Sequence, residues 1–305
     1  MQYNWPLIGH THIKRYFEKV LQSGNIHHAY LFEGPQHLGK STFARLLIQT
    51  LLCEEKDRQL PCGICRPCDA FKHTAHPDFF ELKREEEAHI SIEKAREFIS
   101  TLQTRALLGS LKIGMIEEAE LLTQEAANAL LKTLEEAPRS VILFLIASEP
   151  LLPTISSRCQ KITFHFVGSH DMEQAFQRER KQSELLRLAS GRPGVALRMK
   201  ESAAQESYMG EMQEIRRLLK IDEGERLLWI TEQFGSGNKI SDRRVHAKEI
   251  FDMLELTLRE LLIVEPTLKA EPVISMLKRT AQAKQFLKAN VDPRLICEYL
   301  LLDAS

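Results

Sequence analysis

Two groups of residues in this chain have types and spacings that could do chemistry. The first is Gly34-Pro35-Gln36-His37-Leu38-Gly39-Lys40-Ser41, which fits the pattern G-x-x-x-x-G-K-[ST]. In such a loop, backbone amides and a helix N-terminus cradle phosphates, the lysine reaches the β- and γ-phosphates, and the serine hydroxyl binds Mg²⁺. Gly34, Gly39, Lys40 and Ser41, with Thr42 beside them, are therefore the expected contacts for ATP and Mg²⁺. The second group is Cys62, Cys65 and Cys68 at two-residue spacing, with Cys53 ahead of them. Four sulfurs suit a closed tetrahedral structural zinc site, and Gly63 and Pro67 suit its tight turns. An iron–sulfur run would continue with x₃-C-P, which is missing here. A redox CxxC would leave two thiols spare, and four unliganded reduced thiols is the plainer alternative. Cys159 and Cys297 stand alone and read as small buried hydrophobes, and His73 and His76 as surface loop residues.

Glu117-Glu118 follows the apolar run Ile113–Ile116. Where a phosphate loop is present, that position holds one carboxylate for Mg²⁺ and a second that polarises water. Alone, such a pair is an ordinary solvated strand end. Ser148, just past Val141–Ala147, could sense a γ-phosphate or simply form a turn.

The elements that must position these groups follow from hydrophobic period. Ala29–Glu33, Phe79–Leu82, Lys112–Ile116 and Val141–Ala147 read as short apolar strands, separated by helical patterns at Ile13–Leu21, Ser41–Leu52, from Ser91 onward, and at Gln124–Glu136 with Thr123 as N-cap. Continuous apolar strands alternating with helices predict a parallel α/β sheet covered on both faces. The stretch from Cys53 to Pro77 breaks the pattern and reads as an insertion, with the zinc module at 53–68. After about residue 167 the strands stop. Short helical pieces over 171–205 are broken at Gly191-Arg192-Pro193-Gly194, and everything from Glu211 reads as helix, including a stripe of Val245, Ile250, Phe251, Leu254, Leu258, Leu261 and Leu262. Asp292-Pro293 opens a last helix carrying Leu295, Ile296, Tyr299 and Leu300.

Composition bounds the answer. A length of 305 residues predicts two or three domains, and 43% hydrophobic with 27% charged residues exclude wholesale disorder. A net charge of −1 lacks the basic excess of a free-standing duplex-DNA binder, so nucleic-acid contact would be local or shared with partners. No secretion signal is visible after Met1, and Val141–Ala147 is far too short to cross a bilayer. A cytoplasmic protein with reduced thiols and no membrane partner is expected.

His28–Pro35, the cysteine-rich insertion, Ala75-His76-Pro77-Asp78-Phe79, Asn128–Pro138 and Ser157-Arg158-Cys159, in that order and spacing, resemble the clamp-loader ATPase subunits of bacterial DNA polymerase III, which are AAA+ proteins. The likeness of motifs covers residues 28 to about 160; beyond that it is one of pattern. It implies an AAA+ P-loop domain over 1–167, a small helical lid over 168–205 and an all-α collar over 206–305. It also implies a place in a hetero-pentamer with other loader subunits, which opens a sliding clamp and sets it on primer–template DNA. Arg158 would then act in trans on a neighbour's ATP, and Glu118 would be the catalytic carboxylate of an own site. Departures from the motor subunits are His37 where an active loop usually has glycine, Gly194 where a lid arginine would fall, Glu-Glu instead of Asp-Glu at 117–118, and a chain that ends soon after the collar. They imply a largely static member with little or no ATPase activity of its own. A motor-type loader ATPase is the alternative, and a zinc-containing nucleic-acid-binding regulator a more remote one.

Overall fold

The computed structural model describes the chain apart from residues 1, 56–58, 74, 85–88, 137, 139, 177–185, 187–188, 200–201, 236–239, 265–269, 290 and 303–305. It divides into two compact units, 1–175 and 176–305.

The first unit is built on a five-stranded parallel sheet of β2 (Ala29–Glu33), β4 (Phe79–Leu82), β5 (Lys112–Ile116), β6 (Val141–Ala147) and β7 (Gln160–Thr163), in the order β4-β5-β6-β2-β7. Helices α1 (Thr11–Ser23), α2 (Lys40–Leu52), α4 (Ile92–Leu102), α5 (Gln124–Glu135) and the single turn α6 (Pro153–Ser156) connect and cover it. Because successive side chains alternate faces, each apolar strand feeds two cores. Tyr30, Phe32, Ile142, Phe144 and Ile146 join Phe17, Phe43 and Phe164 on one side, while Ala29, Leu31, Val141, Leu143 and Leu145 meet Leu130 and Leu134 on the other. The expected parallel α/β sheet is present. Three features lay outside the expectation. β7 was not anticipated, because only Ile162 of its four residues is buried. The cysteine segment contains a short helix, α3 (Arg66–Lys72), and a two-residue strand, β3 (Gln59–Leu60), that pairs in parallel with β1 (Gln2–Tyr3). His76 is buried, not at the surface: its Nδ1 accepts from the Asp78 amide at 3.1 Å, and Asp78 in turn accepts from the amides of Leu107, Leu108 and Gly109.

The elements described in the second unit are helices: α7 (Ser169–Phe176) crosses the division, followed by α8 (Pro193–Arg198), α9 (Ser202–Leu218), α10 (Glu223–Gln233), α11 (Ile240–Val264), α12 (Ala270–Lys288) and α13 (Pro293–Leu302). Pro193 starts α8 and so opens a helix at the position expected to break one. Val245 and Leu295 of the anticipated apolar stripes are exposed, whereas Phe251, Leu254, Leu258, Ile296 and Leu300 are buried.

Inside this unit, Glu255 of α11 accepts from Arg192 at 3.0 Å, from Arg259 at 3.0 Å and from Lys284 of α12 at 2.7 Å. Burial alone would raise the Glu255 carboxyl, but Lys284, Arg192 and Arg259 outweigh it and hold it down at about 2. A depressed carboxylate stabilises the fold in full above its unfolded value near 4.5 and loses that contribution as pH falls towards 2. Burial of Arg192 lowers that group's own pKa and offsets part of the gain. Glu255→Gln is expected to cost about 3 kcal/mol near pH 7. Urea unfolding as a function of pH checks this: the gap between variant and wild type should close as pH drops from about 4.5 towards 2.

Candidate nucleotide site and cysteine centre

The loop 34–41 leaves the C-terminal end of β2 and runs into α2, so it lies at the strand ends where open α/β sheets bind ligands. Gly34 is required there: its φ is +145°, and a Cβ would come within 2.2 Å of the Phe164 carbonyl oxygen. Gly39, at φ +88°, makes the left-handed step into α2. His37 also takes a positive φ, +65°, a conformation that strains a residue with a Cβ by about 1–2 kcal/mol.

Lys40 is buried, and its ammonium donates to the carbonyls of Gly34 at 2.6 Å and Pro35 at 2.7 Å, with Ser148 Oγ at 3.5 Å. Burial lowers its pKa to about 8, against the opposing pull of Glu120 and Glu117. Ser41 Oγ donates to Glu117 Oε2 at 2.7 Å, and burial raises the Glu117 carboxyl. Gly34, Gly39, Lys40, Ser41, Glu117 and Ser148 are thus brought to one place. Thr42 lies exposed in the first turn of α2. Glu118 takes a left-handed φ of +48° and lies 3.5 Å from Arg84. Of the paired carboxylates, Glu117 is the one placed to meet a cation beside Ser41.

Sequence reasoning missed two participants. Glu120, in the turn Ala119–Leu121 after β5, accepts from the Ser148 amide at 3.2 Å and faces Lys40; the acidic run 117–120 was its signal. His10, the N-cap of α1, is buried against Phe164 and hydrogen-bonds the Leu38 backbone. Burial, then neighbouring His12, lowers its pKa to about 4, so it is neutral near pH 7.

Arg158 is elsewhere. It follows α6 and precedes β7, and its Nε donates to Glu135 Oε1 of α5 at 2.8 Å while its NH1 donates to the Thr154 carbonyl at 2.8 Å. Gln160 stands opposite Tyr30 in the β2–β7 register, so Arg158 is at the strand-start edge and Gly34 at the strand-end edge. The four residue steps from Tyr30 to Gly34 separate the two edges by about 13 Å.

The four expected cysteines converge. The Sγ atoms of Cys53, Cys62, Cys65 and Cys68 lie within 4.8 Å of one another, with Cys53–Cys65 at 3.9 Å and Cys62–Cys68 at 4.0 Å. Tetrahedral zinc with Zn–S bonds near 2.3 Å requires S–S separations of about 3.8 Å, so the donor set fits. The Cys65 amide donates to Cys62 Sγ at 3.3 Å, as a thiolate ligand needs. Burial pushes the Cys53 and Cys68 thiols up; at Cys62 burial is outweighed by the Ile64 and Cys65 amides and the thiol falls to about 7. Four thiolates this close repel one another, and a central divalent cation removes that conflict.

Residues 9–167, just over half of the chain, match the family model for the DNA polymerase III, delta subunit. The chain belongs to this family. A DNA polymerase III delta' subunit from Pseudomonas aeruginosa is 35% identical over 202 residues, 63% of this chain and 62% of that protein. The delta' subunit from Escherichia coli is 36% identical over 195 residues, 59% of this chain and 58% of that protein. The Escherichia coli tau subunit is 35% identical over 170 residues, 55% of this chain but 26% of that much longer protein. The chain spans about three fifths of the length of the delta' relatives it matches. Among the described residues, no helix is long and apolar enough to cross a membrane.

Proposed function

We propose that this chain is a delta prime-type subunit of the bacterial DNA polymerase III clamp loader. It would sit with delta and gamma/tau subunits in a hetero-pentamer that places the sliding clamp on primer–template DNA. The observation that carries this reading is the family match over the P-loop unit, together with delta' relatives that align over more residues than tau does. The lid at 168–205, the collar at 206–305 and a cytoplasmic setting belong to the same reading. So do the roles of Cys53, Cys62, Cys65 and Cys68 as structural zinc ligands and of Arg158 as a trans arginine.

Nucleotide binding at Lys40 and Ser41 would be weak or structural, with Glu117 beside any Mg²⁺. His37 holds a strained backbone in the loop, and the lid segment has Gly194 where a motor subunit would have arginine. A motor-type loader ATPase is the second reading, favoured by intact Lys40, Ser41 and Glu118. Turnover by the isolated chain separates the two: the delta prime reading expects well under about 1 s⁻¹, and a steady rate at or above it favours the motor.

Calorimetry with ATP and Mg²⁺ should show whatever binding exists lost in Lys40→Ala. It should also weaken from pH 7 to pH 9, because a buried ammonium with a pKa of about 8 is neutralised across that range. Affinity that is flat with pH would remove Lys40 from the contact.

A further inference from the structure

We propose that the cysteine centre sets the shape of the phosphate loop, so that zinc and nucleotide bind cooperatively through α2 and the N-terminal strap. The proposal rests on the reading of 34–41 as a nucleotide site, and its structural half stands without it.

The covalent route is α2 itself. Lys40 begins this helix and Cys53 is its C-cap, so a metal ligand fixes one end of the rod whose other end carries Lys40 and Ser41. The rod is about 18 Å long at 1.5 Å per residue. Gln49 of α2 donates from Nε2 to the Cys68 carbonyl at 3.3 Å, a second tie to the same centre.

The other route is the strap at residues 2–10. β1 pairs with β3 inside the cysteine segment, and the Asn4 amide donates to the Leu60 carbonyl at 2.8 Å. Tyr3 packs on both the Cys53–Leu60–Cys68 cluster and the main aromatic core. It stacks on Trp5 at 4.8 Å; Trp5 meets Phe43 of α2 edge-on at 5.4 Å and donates from Nε1 to Thr50 Oγ1 at 3.1 Å. The Leu7 amide then donates to the Trp5 carbonyl at 2.7 Å, and Leu7 lies directly against Gly39. His10 closes the strap on the Leu38 backbone. Both routes end on the last residues of the loop and the start of α2, at Leu38–Ser41. Tyr3 and Trp5 are positioning residues in this scheme: they touch neither metal nor nucleotide. Zinc acts here only by holding its four sulfurs together, which fixes Cys53, Leu60 and the strand pair resting on them.

Linkage makes the coupling reciprocal, with sites joined this way typically differing about 5- to 150-fold in affinity. We expect the low end. Full-length chain, zinc-loaded or stripped with a chelator, is compared by hydrogen exchange over residues 4–10 and 34–41. Stripping should speed exchange there about 5-fold or more, and leave β5 and β6 unchanged. ATP–Mg²⁺ should bind the loaded chain tighter and slow zinc release to a chromogenic chelator by the same factor. Trp5→Ala with zinc in place should reproduce the exchange change, and stripping zinc from that variant should add little. Trp5→Phe, which keeps the packing and loses the Thr50 bond, should lie between. Unchanged exchange at 4–10 and 34–41 after stripping overturns the proposal, as does a purified chain that holds no zinc. If loaded chain binds no nucleotide, the nucleotide reading fails, and the exchange comparison still decides whether the centre shapes the loop.

Discussion

Replacing Cys65 with Ser should take the zinc content of purified protein from close to one ion per chain to nearly none. The four Sγ atoms already stand at separations that tetrahedral zinc demands, and three remaining sulfurs leave the site open and weak. Structural zinc in isolated peptides contributes about 10–16 kcal/mol of apparent binding energy, so its loss should melt the local structure around β3 and α3. The parallel sheet should persist, because its two cores contain none of these cysteines. Metal analysis and circular dichroism check both halves. Wild-type protein prepared without chelator that carries no zinc and four freely titrating thiols at this centre would contradict the first.

Arg158→Ala should leave assembly and this chain's own nucleotide affinity near wild type, yet slow DNA-stimulated ATP hydrolysis by the reconstituted loader several-fold. The geometry behind this is the sheet itself: Arg158 lies at the strand-start edge beside β7, and the chain's own phosphate loop lies at the opposite edge. In the proposed ring, a cation so placed would serve a nucleotide on a neighbouring subunit and not the chain's own. Arginine fingers typically contribute 10³–10⁵ at a fully engaged site, and the smaller expected effect reflects other sites in the ring that keep turning over. Glu135 holds the guanidinium through Nε, so Glu135→Gln should give a milder version of the same defect. Arg158→Lys should rescue poorly, since an ammonium lacks the planar fork that meets phosphate oxygens. Wild-type hydrolysis and clamp loading by Arg158→Ala complexes would remove the role.

Much of this was legible in the residues because the decisive signals are local. The run Ala29–Phe32 closed by Glu33 and the wholly apolar Val141–Ala147 are visible in sequence, and they are the strand limits in the fold. Thr123 accepts from the Ala126 amide and Asp292 from the Arg294 amide, as capping residues do. Cysteine spacing likewise brings four sulfurs together without any long-range information. What stayed hidden depends on partners distant in sequence. β7 is polar apart from Ile162 and becomes a strand only by pairing with β2. β1 and β3 are two residues each and exist only together. His76 sits among polar loop residues, and its burial follows from the turn that Asp78 holds by three amides. Glu117 and Glu118 are indistinguishable as letters; in the fold Glu117 accepts from Ser41 while Glu118, on a left-handed backbone, lies beside Arg84.

The central claim is membership of a loader ring. Mixing the purified chain with the delta and gamma/tau subunits of the same organism, followed by size-exclusion chromatography with light scattering, tests it most directly. A five-subunit particle containing one copy of this chain is expected, formed with Lys40→Ala as readily as with wild type. A chain that elutes alone in every combination, while the other subunits associate with each other, would contradict it.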